Sequence, residues 1–224
     1  MNCVSASFLR DRSLEQSIIL LNKKNIINME LSGRNYEKNI VKTIDRYSKK
    51  NYKKFKKNRG ILFWITGLSG SGKTTIAEKI KSSISTKYGP TITISGDDLR
   101  QIFNFNKFSK KERLNYALSY GKFCKVVTEK NINIIFSTVS LFHKVQRWNK
   151  LNIKNYVEIY IKSDIEKIIK EKKKFFYIRK HKNIVGKNIK PEFPKYPDII
   201  IQNNFTESLN KLSKELLKKI SILY

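Results

Sequence analysis

Residues 61–74 constrain the fold more tightly than any other segment. Ile61-Leu62-Phe63-Trp64-Ile65 is an apolar run of buried-strand length, ended by Thr66-Gly67. Gly67-Leu68-Ser69-Gly70-Ser71-Gly72-Lys73-Thr74 follows at once and satisfies the spacing G-x-x-x-x-G-K-[ST] in full. Behind it, Ile76, Ala77, Ile80 and Ile84 share one helical face from Lys73 to about Lys87, and Gly89-Pro90 stops the helix. Strand, glycine loop and helix in that order aim loop N–H groups and a helix N-terminus at one point, which suits a phosphate chain. In such a loop the lysine, here Lys73, reaches the β- and γ-phosphates, and the hydroxyl of Thr74 binds Mg²⁺. Gly67, Leu68, Ser69, Gly70, Ser71, Gly72 and Thr75 complete the expected ATP cradle.

Downstream, the same alternation repeats. Strands are expected at Thr91–Ile94, Ile132–Phe136, Tyr156–Ile161 and Asp198–Ile201. Helices are expected from Asp97 towards Phe105, after Ser109 with Glu112 completing a capping box, through Trp148, after a Ser163 or Asp164 cap, and from Glu207 to about Ile220. Strand–helix repeats predict an α/β, three-layer P-loop nucleoside-triphosphatase fold, a parallel sheet of about five strands flanked by helices. Residues 60–224 form the expected P-loop domain, with an irregular Lys- and Pro-containing lid at 174–197. Residues 1–59 form a basic extension, with an amphipathic helical pattern over 36–55.

Charge is the other conspicuous feature: 47 Lys and Arg against 18 Asp and Glu, net +29 in 224 residues. It is spread along the chain, +10 over 1–59 and +19 over 60–224, and Lys outnumbers Arg 38 to 9. A nucleic-acid arm would concentrate charge and favour the forked guanidinium. The expected partners are therefore small nucleotide substrates, drawn in by the positive field, with no nucleic acid and no membrane. No apolar stretch reaches the ~18–20 residues of a membrane span. Cys3 and Cys124 are far apart and form no disulfide or zinc framework, which suits a reducing cytoplasm.

A phosphate cradle names a donor, not a reaction. Ser95-Gly96-Asp97-Asp98-Leu99-Arg100 follows the second strand, at the sheet edge where ligands bind in open α/β folds. An acid there can contact Mg²⁺ or accept a proton from an acceptor hydroxyl, and an Arg one turn later can hold an anion. The same spacing also fits a helix N-cap by Asp97 or Asp98 beside an unrelated Arg.

With these blocks in view, the chain resembles the adenylylsulfate kinases, which phosphorylate the 3′-hydroxyl of adenosine 5′-phosphosulfate with MgATP. The resemblance rests on Ile65 to Ala77, on Gly96-Asp97-Asp98-Leu99-Arg100, on Phe108-Ser109-Lys110-Lys111-Glu112-Arg113, on Ser140, and on Gly186 with the prolines 191–197. It implies catalytic roles for Lys73, Asp97 and Ser140, with Asp97 and Thr74 at the metal. It implies acceptor binding by Arg100, Phe108, Arg113 and Lys174, Phe108 stacking on the base. It also implies a role in sulfate assimilation and a homodimer.

Departures from the family pattern gather on the acceptor side. Ser95 replaces the first acid of D-G-D, Tyr116 stands where the family has an acceptor-binding Asn, and Ile184 replaces a base-stacking aromatic. Glu171 to Tyr177 keeps only Lys174 and Tyr177 of a family segment. Thr138 to Lys150, Asn183 to Gly186 and Pro197 to Ile201 resemble a branch of surface-polysaccharide pathways, one type of which phosphorylates cytidine diphosphoramidate. The expected activity is phosphorylation of adenosine 5′-phosphosulfate, with cytidine diphosphoramidate as the alternative acceptor. A nucleotide-binding protein without turnover is the alternative of another class.

Overall fold

The computed structural model describes residues 60–172, 177 and 183–223. The extension 1–59, its amphipathic stretch and Lys174 lie outside the described residues.

Five strands form one sheet: β1 (Leu62–Thr66), β2 (Thr91–Ser95), β3 (Asn133–Thr138), β4 (Tyr156–Lys162) and β5 (Ile199–Gln202). Their order is β2-β3-β1-β4-β5, and every pairing is parallel. Helices α1 (Lys73–Tyr88), α2 (Gly96–Ile102), α3 (Lys110–Glu129), α4 (His143–Asn152), α5 (Ile165–Lys172) and α6 (Leu209–Leu223) alternate with them. This is the expected three-layer P-loop architecture. β1 is central, and the chain steps from it to β2 on one side and later to β4 on the other. A ligand crevice opens at such a reversal, at the strands' carboxyl ends.

Alternation along β1 sorts the core into two layers. Leu62 and Trp64 join Ile134, Phe136, Ala117, Tyr120, Cys124, Val127 and Val145 under α3 and α4. Phe63 and Ile65 join Ile76, Ile80, Ile84, Ile159, Ile161, Leu212, Leu216 and Ile220 under α1 and α6. A strand buried on both faces must be apolar at every position, which is why residues 61–65 show no polar alternation. Trp64 stacks on Phe136 at 4.9 Å between ring centroids. A third cluster, Leu68, Leu141, Ile168, Tyr177, Val185 and Ile189, ties the glycine loop to α5 and the 183–189 turn.

The helix starts reveal which polar residues are structural. At α2 the cap is Ser95, not Asp97 or Asp98: its Oγ accepts from the Asp98 N–H at 3.2 Å, and Asp98 Oδ2 accepts from the Ser95 N–H at 2.7 Å. Ser95 thus does capping work where the family pattern carries an acid, and Asp97 is left unengaged by the cap. At α3 only half of the expected box forms. Ser109 Oγ accepts from the Glu112 N–H, while the Glu112 carboxylate bonds the Ser109 hydroxyl rather than its N–H. Asp164 caps α5, accepting from Glu166 N–H at 2.7 Å. α4 has no side-chain cap of its own, and Glu192 supplies one from 49 residues away, accepting from His143 N–H at 2.8 Å. That bond, with Glu192 N–H donating to the Leu141 carbonyl at 2.9 Å, fastens the end of the expected lid to the domain.

Candidate functional site

A cleft of about 740 Å³ opens at the carboxyl ends of the strands. Its donor side is lined by Ser69, Gly70, Gly72, Lys73, Thr74 and Thr75. α1 begins at Gly72, whose φ of 88° is left-handed, and no side chain caps it. Its start thus carries no side-chain cap, whereas serines cap α2 and α3. The positive dipole end and the absence of acids in the first turn favour an anion there.

Of the nine residues expected in the ATP cradle, Gly67, Leu68 and Ser71 support the loop rather than line the cleft. A Cβ on Gly67 would come within 2.5 Å of the Ile161 carbonyl, so only glycine fits where β1 ends against β4. Leu68 plants its side chain in the third cluster, and its carbonyl accepts from Lys73 Nζ at 2.6 Å. Ser71 is fully buried and its carbonyl accepts from Asn203 Nδ2 at 3.0 Å. Tyr177 donates its hydroxyl to the Ser69 carbonyl at 3.0 Å, and burial pushes its pKa up to about 12, so it remains a donor. Asn203 carried no motif, and its role became visible only when β5 came to rest beside the loop.

Hydroxyls and one carboxylate dominate the middle of the cleft. Thr74 Oγ1 lies 3.3 Å from Ser137 Oγ, and Thr138 Oγ1 lies 2.8 Å from the buried Ser140 Oγ. Asp97 is 88 % exposed, and its Oδ1 is 3.9 Å from an Arg100 nitrogen, a loose pairing. Among the described residues no group of three or more His, Cys, Asp or Glu could hold a metal. Thr74 and Asp97 nonetheless suit Mg²⁺, which keeps several waters and takes one or two protein oxygens beside substrate phosphates.

The rest of the lining includes Arg100, Arg113, Tyr116, Tyr120, Phe142, Ile184 and Val185. Burial, reinforced by the charge of Arg100, lowers the Arg113 pKa. Two cations held together in this way make a ready anion clamp. Arg113 also ties two segments, donating through Nε to the Phe108 carbonyl at 3.0 Å and through a terminal nitrogen to the Asn183 carbonyl at 2.9 Å. Phe108 is not among the lining residues. Its ring is 43 % exposed and carries the guanidinium groups of Arg100 and Arg113 at 5.0 and 5.4 Å. Tyr116 lines the cleft instead, stacked on Phe105 at 4.0 Å with the planes 5° apart.

A profile of the adenylylsulphate kinase family matches residues 59–202. Among curated relatives, the cytidine diphosphoramidate kinase of Campylobacter jejuni is 32 % identical over 170 residues, covering 74 % of this chain and 99 % of the relative. The adenylyl-sulfate kinase of Clostridium kluyveri is 29 % identical over 170 residues, covering 72 % and 85 %. Among solved structures, an APS kinase of Mycobacterium tuberculosis bound to AMPPNP and APS superposes with a TM-score of 0.66 at 19 % identity, covering 73 % of this chain and 99 % of that one. The last likeness is one of fold. An uncapped helix start facing an arginine pair across one cleft, a five-stranded parallel sheet that places them there, and the family profile running across both agree that the chain belongs to the adenylylsulfate kinase family of P-loop phosphotransferases.

Proposed function

We propose that the chain transfers the γ-phosphoryl group of ATP to a ribose hydroxyl of a nucleotide with an anionic tail, and that this nucleotide is cytidine diphosphoramidate. The observation that carries the reading is that one cleft is lined both by the uncapped N-terminus of α1 and by the Arg100–Arg113 pair. One end holds the donor phosphates and the other the acceptor's charge. Phosphoryl transfer needs positioning and charge stabilisation more than covalent help, so this division is chemically sufficient.

In this reading Lys73 and the first N–H groups of α1 hold the β- and γ-phosphates. Thr74 and Asp97 hold Mg²⁺, which would neutralise the phosphate charge in the transition state. Asp97 also accepts the hydrogen bond of the acceptor hydroxyl, Arg100 and Arg113 clamp the tail, and Ser140 bonds an acceptor oxygen. The 183–189 turn, tied to Arg113 through Asn183, closes the acceptor end against water.

Cytidine diphosphoramidate is supported by the Campylobacter jejuni relative and by the altered acceptor wall, where Ile184 offers an aliphatic surface to the base. Adenosine 5′-phosphosulfate, the first expectation from the sequence, becomes the second reading, supported by the shared Gly96–Arg100 and Phe108–Arg113 blocks and by the Clostridium kluyveri relative. ADP release measured with each nucleotide in parallel tests both. A higher kcat/KM for cytidine diphosphoramidate is expected. A preference for adenosine phosphosulfate selects the second reading, and no acceptor-stimulated ADP release overturns both in favour of a nucleotide-binding protein without turnover. The homodimer belongs to the same reading, and light scattering of the full chain checks it.

A further inference from the structure

We infer that Tyr116 is the platform on which the acceptor's base stacks, taking over the task that the family pattern gives to Phe108. The inference rests on the nucleotide-kinase reading above and specifies how its acceptor end discriminates.

Three observations converge. First, Phe108 is poorly placed for a base: it does not line the cleft, and two guanidinium groups already lie over its ring. Its second partner in the family pattern is also missing, because Ile184 occupies the position of a base-stacking aromatic. Second, Tyr116 does line the cleft, in the same wall as Arg100, Arg113 and Ile184. Third, its ring is immobilised before any ligand arrives. Phe105 lies parallel to it at 4.0 Å, and its hydroxyl accepts from the Lys107 N–H at 3.4 Å. Phe105 in turn packs on Phe103 and Tyr120 at 5.4 and 6.2 Å, anchoring the stack to the core.

A flat ring backed on one side and open to a cleft is a stacking surface that loses little freedom on binding. Stacking on an aromatic is worth a measurable share of nucleotide affinity for any base. A single platform, with aliphatic Ile184 rather than an aromatic lining the same cleft, grips a one-ring pyrimidine with most of its area, whereas a purine gains from a second aromatic that is absent here. Tyr116 and Ile184 would thus set base preference, while Arg100 and Arg113 set the requirement for an anionic tail.

The test compares Tyr116→Leu, Tyr116→Phe and Phe108→Leu in the full chain, with cytidine diphosphoramidate and adenosine 5′-phosphosulfate as acceptors. Tyr116→Leu is expected to raise the KM for the preferred acceptor by about tenfold to a hundredfold and leave the KM for ATP unchanged. Tyr116→Phe keeps the ring and stays within a few-fold of wild type, whereas Phe108→Leu, which removes the ring beneath the two guanidinium groups, raises the acceptor KM less than Tyr116→Leu does and by a similar factor for both nucleotides. A Tyr116→Trp variant supplies a second readout, its fluorescence quenched when the acceptor binds in the absence of ATP. An unchanged acceptor KM in Tyr116→Leu, a larger loss in Phe108→Leu, or no quenching in Tyr116→Trp overturns the platform while the kinase reading stands. Wild-type protein that phosphorylates neither nucleotide overturns the kinase reading and, with it, the platform.

Discussion

Asn203, just beyond β5, reaches back 132 residues to donate its Nδ2 to the carbonyl of Ser71 in the glycine loop, at 3.0 Å. Its Oδ1 accepts from the Phe205 N–H at 3.0 Å, and its own N–H donates to the Lys162 carbonyl at 2.8 Å. The side chain is 2 % exposed, so every one of these bonds is made away from water. The loop's shape therefore depends on a residue from the far edge of the sheet as well as on its own glycines.

Asn203→Asp should separate this tether from simple packing. The carboxylate can still accept from Phe205 but has no N–H for Ser71, leaving a buried carbonyl unpaired at a cost of about 1–3 kcal/mol. We expect a lower melting temperature and ATP binding weaker by several-fold, with the acceptor KM unchanged. Isothermal titration with a non-hydrolysable ATP analogue reads the effect, and unaltered affinity would remove Asn203 from the nucleotide site.

At the reacting centre, Asp97→Asn is expected to lower kcat by roughly 10²–10⁴-fold, the range for losing a positioned proton acceptor, with little change in the KM for ATP. The carboxylate is exposed to the cleft and takes no part in the α2 cap, so the helix should survive the change. Lys73→Ala should abolish turnover and weaken ATP binding together, since Lys73 lies in the donor wall. Steady-state kinetics with magnesium varied checks both. Wild-type kcat in Asp97→Asn would take that residue out of the mechanism.

These two cases show what could be read from the sequence and what could not. The glycine loop announces itself because its chemistry is local: loop, lysine and helix start are contiguous, and a parallel sheet follows from the alternation of strands and helices. Asp97 and Arg100 are one turn apart on one short helix, again a local relation. Asn203 and Ser71 are not, and neither are Tyr177 and Ser69 or Glu192 and His143, whose bonds exist only once the sheet has stacked its strands. Ser95 misled for the opposite reason. Its spacing to Asp98 is a capping box, but within the motif it stood out only as the residue that replaces an acid. For Phe108 the motif fixes a position along the chain but not what the ring packs against, and two guanidinium groups lie over it.

Glu158 yields a prediction about stability. It lies in the middle of β4, opposite Trp64 of β1, and is 7 % exposed. Burial, with the nearby Asp198 carboxylate, raises its pKa from 4.5 to about 7, while Tyr156 and Lys150 pull the other way. The folded state thus holds this proton more tightly than the unfolded state. Stability is fullest below about pH 4.5 and falls as pH rises towards 7, by about 3 kcal/mol from this group alone. Glu158→Gln should flatten that part of the profile and raise stability at pH 7.5. Urea titrations from pH 5 to 8 measure it, and an equally steep slope in Glu158→Gln would exclude Glu158 as its source.

Thr138 and Ser140 share one hydrogen bond of 2.8 Å at the end of β3, both side chains buried and both in the cleft wall. One hydroxyl donates to the other, which leaves a single outward hydrogen for an anionic oxygen of the acceptor. We expect Thr138 to be the donor, so that it acts through Ser140 rather than on its own. Removing either hydroxyl should lower kcat/KM for the acceptor by about tenfold to a hundredfold, the scale of a hydrogen bond to a charged group. The double variant Thr138→Val/Ser140→Ala should be no worse than Ser140→Ala, and Thr138→Ser should retain activity. Gly96→Ala offers an independent check, because its Cβ would come within 2.9 Å of Thr138 Oγ1 and push the pair apart. A double-mutant cycle on kcat/KM decides the point: multiplying effects would mean that the two hydroxyls work separately, whereas a coupling as large as the single losses means that they act as one group.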